Sequence, residues 1–222
     1  MRLNRRPLLV LLAASLVSAP AQQPSQTPFQ SEIAAFEAAD KSNPPPHGAI
    51  LFIGSSSIRL WQTLARDFPA HKVINRGFGG SQLIDSVNYF DRIVAPCQPN
   101  QIILYAGGND ISAGKSAEQV FGDFKSFVEK VKTALPNARL AYISIAPNPA
   151  RWAQIEKIKT ANLLIAAYIQ QDHNLTFIDV FPKMLDQDGL PRPEIYVSDR
   201  LHMNARGYEL WKSVVGPYLR EN

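Results

Sequence analysis

The chain has 222 residues, 45% of them hydrophobic, which supplies enough apolar material for one sizeable core. Its 23 Lys and Arg against 19 Asp and Glu give a formal charge of +4, but Arg2, Arg5 and Arg6 account for three of those charges; without them 20 basic residues face 19 acidic ones, an excess of +1 that excludes a binder of nucleic acid built on a basic surface. A single cysteine, Cys97, excludes an intrachain disulfide, and the four histidines show no His-Glu-x-x-His spacing, so neither a metal site nor a cofactor is expected.

In chain order, residues 1–21 read as a secretory signal peptide: three arginines, a short apolar core from Leu8 to Val17, and an Ala19-Pro20-Ala21 cleavage site. Cleavage after Ala21 leaves 201 residues and predicts export, periplasmic or secreted. The apolar core is too short for a bilayer anchor, and no cysteine follows for lipidation. Residues 22–30, rich in Gln, Pro and Ser, predict a flexible leader to one domain over 31–222.

A first helix is expected over Ser31–Ala39, closed by Pro44-Pro45-Pro46. Ile50-Leu51-Phe52-Ile53, ending at Gly54, reads as a strand buried on both faces, and Ile58, Leu60, Trp61 and Leu64 as a short amphipathic helix after it. Strands follow at Lys72–Asn75, Gln101–Tyr105, Ala138–Ile145 and Leu175–Val180. Helices alternate with them at Ser81–Val94, Ser116–Leu135 and Arg151–Gln171, and a closing helix is capped by Asn204. Such alternation predicts a three-layer α/β/α sandwich around a parallel sheet of about five strands.

Four stretches carry chemistry. Gly54-Ser55-Ser56-Ser57 ends the first strand, where open α/β sheets place their ligands, and Ser56 is the candidate nucleophile; taken alone, serines there more often cap the next helix, and it is the three downstream stretches that favour chemistry. Gly77-Phe78-Gly79-Gly80 ends the second strand, and Gly80 is the candidate backbone donor to a ligand, or simply part of a tight turn. Gly107-Gly108-Asn109-Asp110 ends the third, where Asn109 offers a neutral side-chain donor or an Asx turn. In Asp199-Arg200-Leu201-His202 a carboxylate three residues before a histidine can fold back onto its Nδ1–H and leave Nε2 to take a proton from a serine. His47, His71 and His173 lack such company.

These blocks, in this order, resemble those of the SGNH hydrolases, also called GDSL esterases and lipases. The likeness extends through Gly189 to Pro193 and His202-Met203-Asn204 to Tyr208, so it covers the chain from about Ala49 onward. The resemblance implies the SGNH, flavodoxin-like sandwich and a serine esterase with Ser56, His202 and Asp199 as triad. It also implies an oxyanion hole formed by the Ser56 N–H, Gly80 and Asn109. One departure is Ser55, where the family usually has Asp. Ile58 stands where a Gly-x-Ser-x-Gly elbow would need glycine, which argues against the α/β-hydrolase pattern.

The expected chemistry is hydrolysis of carboxylic esters through an acyl-enzyme, with small acyl groups such as acetate favoured because no long lid is visible. The substrate is expected to be a small-molecule or carbohydrate ester. Alternatives are a carbohydrate deacetylase, a lysophospholipase or thioesterase on the same fold, or a noncatalytic secreted binding module. Trp61, Phe78, Trp152 and Met203 are candidates to line the site or to pack in the core.

Overall fold

Ile50–Gly54 (β1) is the inner strand from which the sheet grows in both directions. The computed structural model describes residues 28–220, and in it β1 pairs in parallel with Val73–Gly77 (β2) on one side and Gln101–Tyr105 (β3) on the other. Arg139–Ile143 (β4) and Leu175–Ile178 (β5) extend the same sheet, giving the order β2-β1-β3-β4-β5, all parallel. Every residue of β1 and β3 is buried, as expected of near-continuous apolar runs covered on both faces, the polar Gln101 at the start of β3 included.

Alternation along each strand sorts the core into two layers. Leu51, Ile53, Ile102, Leu104 and Tyr142 face one side. They pack under Gln30–Ser42 (α1), Leu83–Asn88 (α4), Phe90–Ile93 (α5), Ala117–Ala134 (α7) and Ile155–Ile169 (α8). Ile50, Phe52, Ile103, Ala141 and Ile143 face the other, against Ser56–Arg59 (α2), Leu64–Asp67 (α3) and Ala205–Val215 (α9). The three-layer α/β/α sandwich with a five-stranded parallel sheet is therefore present as expected.

Several local expectations change. The segment over 81–94 is two helices, α4 and α5, broken at Tyr89, where the chain is held from outside: the Tyr89 hydroxyl donates to the carbonyl of Pro28, just before α1, and Arg92 grips Glu37 of α1 through Nε and Nη2 at 2.7 and 2.8 Å. The amphipathic helix after the serines is two single turns, α2 and α3. Residues 149–154 form a 3-10 turn opened by Pro149 and capped by the Asn148 side chain, so α8 starts at Ile155 rather than Arg151. A five-residue helix, Gly108–Ser112 (α6), starts within the third glycine block. Gln30 already belongs to α1, and Phe29 packs edge-on against Phe78; residues 1–27, with the leader peptide and most of the linker, lie outside the described residues.

The first helix also braces the loop after β2. Glu32 Oε1 accepts the Gly79 N–H at 3.1 Å, and Asp40 receives Arg76 Nη2 at 2.6 Å. Cys97 is buried in the same core layer, where burial pushes its thiol pKa up. Among the described residues no helix is long and apolar enough to cross a membrane.

Candidate active site

The carboxyl ends of five parallel strands share one rim, and the loops leaving them bring together residues up to 146 positions apart. Ser56 is the first residue of α2. The turn that presents it is held by backbone: Ser55 N–H donates to the Tyr105 carbonyl at 3.0 Å, and the Ser55 carbonyl accepts Ile58 and Arg59 N–H at 3.0 and 3.1 Å. The Ser55 side chain is buried and makes no capping hydrogen bond, so this residue holds the turn through its main chain.

His202 reaches this serine from the loop before α9. Its Nε2 lies 2.9 Å from Ser56 Oγ, and its Nδ1 lies 2.6 Å from Asp199 Oδ2. The other carboxylate oxygen, Oδ1, accepts the backbone N–H groups of Leu201 and His202 at 2.8 and 2.9 Å. Asp199 thus closes a tight turn in which Arg200 adopts a left-handed φ of 59° and Val197 N–H bonds the His202 carbonyl at 2.9 Å. The base of this turn is fixed by Asn204, whose Nδ2 donates to the Glu194 and Tyr196 carbonyls while its Oδ1 caps α9 at Arg206 and Gly207. With Nδ1–H committed to a carboxylate, the free lone pair is on Nε2, facing the serine hydroxyl.

The hydrogen bond from His202, then the two backbone N–H donors, lower the Asp199 pKa to about 2. A depressed carboxylate pKa favours folding above the ordinary value of about 4 and loses that contribution as pH falls toward the native value. Melting curves of wild type and Asp199→Asn should therefore differ by a constant amount above about pH 5 and converge as pH drops to about 2. A gap that widened on acidification would contradict the assignment.

Asn109 stands in the first turn of α6, on the cavity wall with Ser56 and His202. Its Nδ2 donates to the Ser81 carbonyl at 2.9 Å and its Oδ1 accepts Arg151 Nη2 at 2.9 Å. One amide hydrogen is used by Ser81, which leaves the second free among the described residues. Gly80, next to Ser81, is exposed with φ 79°; among the described residues its N–H, like that of Ser56, has no partner, and it lies outside the residues that line the cavity. Asp110, fully buried behind the loop, accepts the Leu83 N–H and Lys115 Nζ, so it ties α6 to α4 and stays off the cavity wall.

The cavity holds about 30 Å³ and is walled by Tyr105, Ala146, Met184, Tyr196, Met203 and Trp211 together with the polar groups above. Of the four side chains proposed from sequence to line it, only Met203 does. Trp61 and Phe78 are core residues, and half-buried Trp152 sits off the wall. The sequence reading missed most of the wall, and among the residues it missed are two polar side chains of the loop after β4, Asn148 and Arg151. The available signal was their position directly after β4, since every strand of a parallel sheet delivers its following loop to the same rim. Among the described residues, no group of three or more His, Cys, Asp and Glu side chains could hold a metal ion.

A hydroxyl, an imidazole and a carboxylate in hydrogen-bonded series, beside free amide donors, can transfer an acyl group. Among curated proteins, the platelet-activating factor acetylhydrolase IB subunit alpha1 of Bos taurus is 28% identical over 187 residues, covering 77% of this chain and 73% of that one. Among solved structures, a GDSL-like lipase from Bacteroides thetaiotaomicron superposes with a TM-score of 0.73 at 19% identity, covering 85% of this chain and 97% of that one. A carbohydrate esterase family 3 protein from Talaromyces cellulolyticus gives 0.62 at 18% identity, with coverage of 76% and 94%. Residues 54–210 match the model of the GDSL-like lipase/acylhydrolase family, a span that contains every block from the first serine turn to the last histidine, and the chain belongs to that family of hydrolases.

Proposed function

We propose that this protein is a serine esterase that removes small acyl groups, acetate foremost, from alcohol or carbohydrate esters. The observation that carries the reading is the series Asp199 Oδ2, His202, Ser56 Oγ at 2.6 and 2.9 Å. Ser56 Oγ attacks the ester carbonyl as Nε2 takes its proton. The oxyanion collects on the Ser56 and Gly80 N–H groups and Asn109 Nδ2. Collapse expels the alcohol, which receives the proton from Nε2. Water then attacks the acyl-enzyme with Nε2 again as base, and the acid leaves as Ser56 regains its proton.

Asp199, held ionised by its three donors, keeps the imidazole in the productive tautomer and offsets the charge it gains. The small cavity supports a short acyl chain, since forcing extra methylenes into a packed site costs about 1–3 kcal/mol. The names of the relatives, an acetylhydrolase and a carbohydrate esterase, point the same way. The signal-peptide reading of residues 1–21 supports a site of action outside the cytoplasm.

A p-nitrophenyl ester series run beside acetylated sugars tests the substrate. kcat/KM should fall by about tenfold or more between acetate or butyrate and octanoate, as expected from overpacking of that size. A rise toward long chains would replace the small-acyl reading with a lipase or lysophospholipase. An organophosphonate should label Ser56; failure to label would favour a noncatalytic binding module.

A further inference from the structure

Arg151 is the cation in the cavity wall, and the reading of the site so far gives it no task. Its guanidinium is half-buried. Burial lowers its pKa, and among the described residues no carboxylate pairs with it. A cation placed there at a desolvation cost, without an ion-pair partner, needs another account.

The contacts provide one. Nη2 donates to Asn109 Oδ1 at 2.9 Å, while Nη1 lies over Gly108, where an added Cβ would stand 3.4 Å away. The backbone that carries Arg151 is fixed twice. Its own N–H donates to Asn148 Oδ1 at 2.9 Å, and the N–H of Ala150 donates to the Arg200 carbonyl at 3.1 Å, inside the turn between Asp199 and His202. One short loop after β4 therefore holds both the triad turn and the amide of Asn109.

We propose that Arg151 is the positioning residue of the oxyanion hole. A side-chain amide has two nearly isosteric ends, and either could face the cleft. A guanidinium only donates, so it accepts Oδ1 as neighbour and rejects Nδ2. Arg151 on one side and the Ser81 carbonyl on the other thus commit Nδ2 to the side where Ser81 and Gly80 lie, with one hydrogen left for the oxyanion. The positive charge behind Oδ1 also polarises the amide and makes the remaining N–H a stronger donor in a site of low dielectric. This inference rests on the reading of Asn109 as an oxyanion donor.

The test is a double-mutant cycle on a neutral ester, p-nitrophenyl acetate, with Asn109→Ala, Arg151→Met and the pair. Loss of one oxyanion donor costs about 10²–10³ in kcat, and a donor left in place but unoriented should cost about 10-fold to 10²-fold, with KM little changed. Arg151→Lys, which keeps a donor for Oδ1, should recover much of the lost kcat. In the Asn109→Ala background Arg151→Met should cost almost nothing more.

Full additivity of the two losses, with Asn109→Ala strongly impaired, would overturn the positioning role and leave the oxyanion reading standing. An unimpaired Asn109→Ala would overturn both. A KM increase confined to esters bearing a carboxylate, with kcat on the neutral ester untouched, would overturn the positioning role in favour of anion binding. Melting temperatures of all variants separate these outcomes from loss of fold.

Discussion

Ser56→Ala is expected to lower kcat by at least about 10³-fold, and by as much as about 10⁶-fold where the triad works as a unit, with KM little changed. The hydroxyl is the atom that becomes bonded to the acyl carbon, and no neighbouring group stands in its place. The adjacent Ser55 is buried with its main chain tied to Tyr105, and neither it nor Ser57 has its oxygen on His202. Structural cost should be small, within about 0.5 kcal/mol, because the Ser56 side chain is only partly buried and, among the described residues, its hydroxyl bonds to His202 alone. The variant should melt as wild type does and should resist phosphonate labelling. Removing His202 as well should add little, since a base without its nucleophile has nothing to deprotonate. Retention of more than about a tenth of wild-type turnover by a well-folded Ser56→Ala would defeat the acyl-enzyme mechanism.

What the sequence makes legible here follows from how local each signal is. β1 and β3 have the expected boundaries because a strand buried on both faces reads as a near-continuous apolar run, closed by Gly54 in β1 and opened by the buried Gln101 in β3. α7 starts after Ser116 because the capping box, Ser116 with Gln119, lies within four consecutive residues. The pairing of Asp199 with His202 is legible for the same reason, a carboxylate and an imidazole within one turn of chain. The break at Tyr89 is not, because the contacts that hold it come from Pro28 and from Glu37 of α1, more than fifty residues away. Nor is the grip of Arg151 on Asn109, 42 residues apart, which depends on β3 and β4 being neighbours in the sheet. Alternating apolar runs announce a parallel sheet without giving its strand order, so contacts between one strand's loop and the next are hidden until the order is known.

Gly54→Ala should be the most destabilising single substitution in the site. Gly54 ends β1 opposite Tyr105 of β3 and Gly77 of β2, and a Cβ there would stand 1.8 Å from the Tyr105 carbonyl oxygen and 2.6 Å from its carbonyl carbon. Both are backbone atoms of an inner strand, so no rotamer change relieves the clash. The φ of 141° adds strain for any L side chain. Relief requires β1 and β3 to separate at their ends, which breaks the bond from Ser55 N–H to Tyr105 and disturbs that from Phe78 N–H to the Gly54 carbonyl at 3.0 Å. Those two bonds hold the loops that carry Ser56 and Gly80. The cost should exceed about 4 kcal/mol, a large share of the 5–15 kcal/mol typical of a domain, and lower Tm by about 10 °C or more. Gly80→Ala is the control: its φ is also positive, at 79°, but nothing lies within 4 Å of the added Cβ, so it should cost only the backbone strain of about 1–2 kcal/mol. Equal melting temperatures for the two variants would mean that strain alone explains Gly54. A much larger drop for Gly54→Ala would mean that close contact between two inner strands sets the nucleophile beside the imidazole.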